Sequence, residues 1–336
     1  MLNDRRRRVL TALIEEYIDS AVPVGSKTLV DRYELGCSPA TVRNELSILE
    51  ETGYLVQPHV SAGRMPTDTG YRDFVDGILE HLDTAEREPA RLPEAAEIDE
   101  LMRETSALLT RLTSSLAVVL APSISLARVK RVDLLSMAPR RALFVVITES
   151  GQVLNRQLDL PEEVVPERLA QLERALNASL LGKRADEIRP LHDALRSTAV
   201  PGSDDALVAT LIAEMLDALE EADRDRLYHV GVPALLAQPE FHDAGLARPV
   251  LETVEDGLSL LGVLSEALGG DRLSVRIGHE TGRAELGSVS IVTSAYSYGS
   301  GEGIVGVVGP TRMDYGRAIG AVRAVARGLS ETLARE

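Results

Sequence analysis

The first apolar pattern in the chain is helical. Val9, Leu10, Leu13, Ile14, Tyr17 and Ile18 recur at the spacing of a single helix face, which predicts a helix over residues 4–20 capped by Asn3 or Asp4. Val22-Pro23-Val24-Gly25 breaks it. Ser26 is placed to cap a short second helix, Lys27 to Tyr33, with Leu29 and Val30 inward, and Gly36-Cys37 supplies a turn. Ser38-Pro39 joins a hydroxyl cap to proline at the first helical position. A third helix is therefore expected to run to about Thr52, with Gly53 suited to end it. On that helix Val42, Leu46 and Leu49 share one face. Ala40, Asn44, Ser47 and Glu51 lie opposite, flanked by Thr41 and Arg43. Tyr54–Gln57 reads as a short strand and His59–Pro66 as a hairpin tip carrying Arg64.

Beyond residue 115 the texture changes. Leu116–Leu120, Val129–Met137, Ala142–Thr148 and Val153–Leu158 are short runs rich in Val, Leu and Ile, and they read as strands of an antiparallel sheet, with Ser150-Gly151 suited to a hairpin turn. From about Pro161 to Leu227 the pattern is helical and acidic: Leu169, Leu172, Leu176 and Leu180 share one face, as do Leu207, Leu211, Met215 and Ala218. A further helix is expected over roughly Val254–Leu268 and a last one over about Tyr315–Ala334. Strand patterns return at Leu273–Ile277, Val289–Ala295 and Ile304–Val308. Strands on both sides of a helical block are most simply one α+β domain with a helical insertion; two independent domains in series are the alternative. Asp83–Glu97, with two prolines and many charges, is expected to be a linker.

Charge changes the picture only when it is divided. The 336 residues carry 36 Lys and Arg against 52 Asp and Glu, a net of −16, which taken as a whole argues against a nucleic-acid partner. Residues 1–66, however, hold eight basic and nine acidic side chains, a net of −1, so the other 270 residues carry −15. The N-terminal module is thus electrostatically free to approach DNA. The polar face of its third helix has the chemistry to do so, since arginine binds guanine and asparagine binds adenine in a bidentate manner. Thr41, Arg43, Asn44 and Ser47 are the candidate groove-facing residues, with Ser38 at the helix start, small Ala40 permitting close approach, and Arg64 in the hairpin tip. Lys27 and the Arg5, Arg6, Arg7, Arg8 run are weaker candidates for phosphate contacts.

Other chemistry is absent from the pattern. Gly301-Glu302-Gly303-Ile304-Val305-Gly306 matches a dinucleotide-binding word but is followed by a β-like run instead of a helix, so a glycine-rich hairpin is expected. The six histidines show no metal-ligand spacing, and Cys37 has no nucleophile–base partner nearby. No enzyme activity, cofactor or metal is expected. A single cysteine fits a reducing cytoplasm, and no apolar run reaches the roughly 18 residues of a membrane span.

Several words in the chain resemble one family. Pro23-Val24-Gly25-Ser26-Lys27, Ser38-Pro39-Ala40-Thr41-Val42-Arg43-Asn44, Ser61-Ala62-Gly63-Arg64-Met65-Pro66-Thr67 and Gly70-Tyr71-Arg72-Asp73-Phe74-Val75 are similar to those of the HrcA family of bacterial heat-inducible transcription repressors. Leu235–Phe241, Ile277–Thr281 and Gly309–Tyr315 extend the similarity to essentially the whole chain, with Thr281 standing where Asn is more usual. The resemblance implies a winged helix-turn-helix DNA-binding domain over residues 1–80 and a linker over 81–100. It also implies a GAF-like α+β domain over 101–160 and 231–336, with a mainly helical dimerising domain inserted at 161–230. The implied function is repression of chaperone operons by a cytoplasmic homodimer on an inverted-repeat operator, with activity dependent on the chaperonin. A metabolite-gated regulator, sensing a small ligand through the GAF-like domain, is the alternative.

Overall fold

The computed structural model of the chain describes residues 2–59, 62–82, 89–93, 98–121, 128–149, 152–160, 162–200, 203–224, 226–268, 272–298 and 301–334. It divides into two compact units. The first comprises residues 1–119, 229–295 and 304–329; the second comprises 120–228, 296–303 and 330–336.

The first unit begins with α1 (Asp4–Ser20), α2 (Ser26–Arg32) and α3 (Pro39–Glu51). A two-stranded antiparallel ribbon follows, β1 (Leu55–Val56) and β2 (Met65–Pro66), and then α4 (Asp68–Leu82). The expected helices are all present. Ser26 lies inside α2 instead of capping it, since Gly25 occupies the cap position. The helix α4 was not anticipated from periodicity. Val9, Leu10, Leu13 and Ile14 of α1, Leu29 of α2, and Val42, Leu46 and Leu49 of α3 are essentially inaccessible to solvent and form one aliphatic core. Three short helices can be stable only through such shared burial, because isolated helices of this length are marginal in water.

The rest of the first unit is built on a five-stranded sheet, completed by segments from both ends of the chain, with α5 (Ile98–Thr113), α9 (Val232–Leu236), α10 (Ala244–Glu255), α11 (Gly257–Leu268) and α12 (Tyr315–Leu333). Its strands are β3 (Leu116–Leu120), β7 (Leu227–Val230), β8 (Leu273–Ile277), β9 (Val289–Tyr298) and β10 (Gly301–Pro310), in the order β7-β3-β10-β9-β8. Every residue of β3 is buried, as an interior strand covered on both faces requires. The helix expected at Val254–Leu268 is in fact two, α10 and α11, interrupted at Asp256; the proline at position 249 inside α10 disguised the earlier one. The glycine-rich word at 301–306 lies within β10, as a strand and not a phosphate-binding turn.

The second unit holds β4 (Val129–Ala138), β5 (Arg141–Thr148) and β6 (Val153–Asp159) as a separate antiparallel sheet, together with α6 (Pro166–Leu180), α7 (Ala185–Thr198) and α8 (Asp204–Arg224). This differs from the expected division at residue 160, which placed these strands with the GAF-like domain. The reason is packing. Val132, Leu134, Phe144, Val146 and Leu158 on one sheet face share a core with Leu169, Leu172 and Leu176 of α6 and Leu211, Ile212 and Met215 of α8. Asn177 of α6 also brackets Val132 of β4, its side-chain oxygen accepting from the backbone N–H at 3.0 Å and its amide donating to the carbonyl at 2.6 Å. Glu173 accepts from the Leu134 N–H at 2.9 Å. Side chains from α6 thus occupy hydrogen-bonding groups that an edge strand would otherwise present to another chain. The inserted element is therefore a mixed sheet-and-helix unit of about residues 120–228.

Of the expected linker, residues 89–93 run without regular structure, and the Ala90 N–H donates to the Ala324 carbonyl of α12 at 2.9 Å. Residues 83–88 and 94–97, the Ser150-Gly151 turn, and Val60 and Ser61 of the hairpin tip lie outside the described residues.

Candidate nucleic-acid interface

The candidate surface is the outer side of α3, and local chemistry fixes where that helix starts. Gly36 adopts φ of 64° in the turn that precedes it. Ser38 Oγ accepts the Thr41 N–H at 3.2 Å, and Pro39 follows at the first helical position. At the other end Gly53, with φ of 82°, terminates the helix. Ala40, Arg43 and Asn44 are exposed, while Thr41 and Ser47 are partly exposed. The expected polar face therefore exists as a continuous surface, opposite the buried Val42, Leu46 and Leu49.

A residue that sequence reasoning missed holds this helix in place. Glu45 is 1% exposed. Arg5 Nε of α1 donates to one of its carboxylate oxygens at 2.8 Å, and Arg6 Nε donates to the other at 3.0 Å. Burial alone would push this carboxyl up; the hydrogen bonds and charges of Arg5 and Arg6 reverse that and hold it below the usual glutamate range. The signal was present, for Glu45 sits three residues after Val42 and four before Leu49, within the apolar stripe. A charge placed there must find a partner. A second buried acid, Glu16 of α1, is held by Arg32 at 2.8 Å.

These pairs sort the eight basic residues of the module. Arg5 and Arg6 hold Glu45, Arg7 lies 3.5 Å from Asp73, Arg32 holds Glu16, and Arg64 donates to Glu50 of α3 at 3.0 Å. Among the described residues Arg8, Lys27 and Arg43 form no ion pair. Arg43 thus stands on the outer face of α3 with its guanidinium uncommitted, and Lys27 is exposed on α2. Arg5, half exposed, retains donors facing water, whereas Arg6 is largely covered. Arg64 sits at the ribbon, where its backbone exchanges hydrogen bonds of 2.9 Å with Val24 in both directions. Its side chain folds back onto α3 instead of extending from the tip. Gly63 permits this closeness: a side chain there would meet the Pro23 and Val24 backbone at 2.5 Å.

No group of three or more His, Cys, Asp or Glu residues among the described ones is placed to hold a metal ion. No helix among them is long and apolar enough to cross a membrane. A cavity of about 170 Å³ beside α11 and β8 is lined by Val263, Glu266, Arg276, Glu280, Thr281 and Ile291. It is small against the roughly 300–1,000 Å³ of ordinary ligand sites.

The family model described as HrcA protein C terminal domain matches residues 99–319. The heat-inducible transcription repressor HrcA of Streptomyces avermitilis is 43% identical over 342 residues, covering 99% of both chains. The protein of that name from Kineococcus radiotolerans is 41% identical over 349 residues, covering both chains completely. A crystal structure at 2.2 Å resolution, described only as that of a hypothetical protein, superposes with a TM-score of 0.64 at 26% identity, covering 100% of this chain and 99% of that one.

The buried carboxylate yields a prediction. Glu45→Ala is expected to lower stability by about 1.5–3 kcal/mol, the range for a lost hydrogen bond to a charged group, measured by denaturant unfolding at neutral pH. Because the carboxyl is held low in the folded state, its contribution is present above the ordinary glutamate range and is lost as pH falls through its lowered folded value. The gap between parent and Glu45→Gln should therefore close only on acidification.

Proposed function

The chain belongs to the HrcA family, and on that premise we propose that it is a sequence-specific DNA-binding repressor of chaperone operons that acts in the cytoplasm. The observation that carries the reading is the outer face of α3, where an unpaired Arg43 stands beside Asn44, Thr41 and Ser47 on a helix anchored from behind. In this reading α2 and α3 form a helix-turn-helix, β1 and β2 are its wing, and α3 enters the major groove. Ser38 and Ala40 sit at the helix start, where recognition helices meet base edges. Lys27 and Arg5 are phosphate candidates. Arg6 and Arg64 have their guanidinium groups turned to Glu45 and Glu50, which favours structural roles for both. The strongly acidic remainder of the chain repels DNA and confines contact to this module.

The operator is proposed to be an inverted repeat bound by a homodimer, since a two-fold protein presents one recognition helix to each half-site. The second unit supports a dimer through its sheet. The face turned away from the core carries Leu135 at 53% exposure, Met137 at 54% and Val153 at 58%. The register places Leu143, Val145 and Ile147 between them. This apolar strip is bordered on the same face by the Arg131–Asp133 ion pair, Asn155 and Gln157, the mixture of apolar centre and polar rim that supports an interaction surface. Family resemblance adds the GAF-like character of the five-stranded body and the dependence on the chaperonin, which assists the repressor into its active state until heat diverts it to unfolded proteins.

Footprinting on chaperone promoters tests the central claim, with a symmetric protected site as the expected result. Arg43→Ala should weaken operator binding by about 1–3 kcal/mol per half-site, roughly five- to 150-fold each, and relax selectivity at one base pair of each half-site. Lys27→Ala should weaken all DNA binding alike and lower the salt slope by about one. Leu135→Asp should convert the dimer to monomer in sedimentation; an unchanged dimer would remove this face from the interface. Chaperonin should raise the active fraction of purified repressor in operator-shift assays, and equal activity with and without it at every temperature would overturn that part.

A further inference from the structure

Two segments of the five-stranded body, Gly278–Glu280 after β8 and Arg312–Tyr315 before α12, are left unexplained by DNA contact. Both meet the N-terminal module within the first unit. Arg72 of α4 donates from Nε to Glu280 at 2.8 Å and from Nη2 to the Val275 carbonyl at 2.8 Å. Glu280 also accepts the Ile277 N–H at 3.0 Å, so the carboxylate is oriented by its own turn before it receives the arginine. Asp68, at the start of α4, accepts from the His279 N–H at 3.0 Å and lies 2.8 Å from His279 Nδ1. Gly278 has φ of 51°, and a side chain there would come within 2.5 Å of the Asp68 carboxylate. Glycine takes this left-handed conformation without strain and leaves the Asp68 carboxylate where it binds the His279 N–H.

The second segment grips α1. Arg312, whose side chain is 11% exposed, donates to the Ile18 carbonyl at the end of that helix and to Glu240 of the body at 2.6 Å. Tyr71 of α4 packs on Tyr315 with ring centroids 5.7 Å apart, and the Tyr315 hydroxyl is 2.7 Å from Ser290 Oγ. The path from these contacts to the reading face is short. α1 holds α3 through Arg5, Arg6 and Glu45. α4 joins the ribbon through Thr67, whose hydroxyl donates to the Gly53 carbonyl at 2.6 Å and whose N–H donates to the Tyr54 carbonyl at 3.1 Å.

We infer that Glu280 and Arg312 are positioning residues for DNA recognition: they lock α1 and α4 to the body, so that the body sets the direction of α3 and thereby the half-site spacing that the dimer accepts. Attachment at two helices, by charge-assisted hydrogen bonds with fixed donor geometry, restrains rotation as well as translation. A single contact would leave a swivel. This inference rests on the proposed operator binding, and neither Glu280 nor Arg312 is placed at the DNA.

The test uses the full-length chain carrying Glu280→Gln or Arg312→Met. Probes are the footprinted operator, the same operator with its spacer changed by one to five base pairs, and a single half-site. The parent is expected to reject altered spacers. The variants should keep half-site affinity within about twofold, lose about tenfold on the native spacer, and tolerate altered spacers better. A DNA-free measurement stands beside these. Spin labels at Glu51→Cys and Arg317→Cys, with Cys37→Ser, should give a narrow distance distribution in the parent and a broader one in the variants. An unchanged spacer profile with unchanged label distances overturns the lock. So does an equal loss on half-site and full operator, which signifies a stability role only. If the parent binds no probe specifically while the distances broaden as expected, the DNA reading fails and the mechanical joint survives.

Discussion

A buried carboxylate governs the N-terminal module. Glu45 lies among the aliphatic side chains of α3, where an unpaired charge would be costly, and Arg5 and Arg6 at the start of α1 reach it. Satisfying it fixes how α3 lies against α1. The apolar residues make the helices associate, but apolar contact is non-directional and tolerates sliding. The paired hydrogen bonds to Glu45 select one arrangement. In that arrangement Arg43 and Asn44 face outward, and the two arginines that seemed free to meet phosphate are partly consumed in the joint.

How much of this was legible follows from the range of each interaction. Ser38-Pro39 and the period of Val42, Leu46 and Leu49 are local, and they place α3 and its polar face from the chain alone. The sorting of basic residues into paired and unpaired is not local, since Arg5 and Glu45 stand 40 residues apart. Arg72 and Glu280 stand 208 apart and belong to elements whose adjacency no spacing encodes. The helix α5 escaped notice for a different reason. Thr105 and Ser106 occupy its buried face and dilute the apolar period.

The sheets show the same limit. Leu116–Leu120 is buried without interruption, whereas β5 alternates between buried and half-exposed residues. In the sequence both are uninterrupted apolar runs, LAVVL and ALFVVI, so the difference between a strand covered on both faces and one covered on a single face emerges only from packing. What the chain could not reveal is that α6 pins the edge of β4 with Asn177 and Glu173, since those polar residues read as solvated.

Gly278 carries a consequence for how such proteins can be rebuilt. The first 82 residues look like a cassette, with their own aliphatic core, and a common engineering instinct would graft them onto another body. Yet Asp68 and Arg72 fit a turn made more than 200 residues later, one whose first position, in a left-handed conformation, suits glycine. A graft that transfers the head without that turn would leave the Asp68 carboxylate and the Arg72 guanidinium without the partners that orient α4. Head and turn form one exchangeable part, distributed over distant stretches of chain.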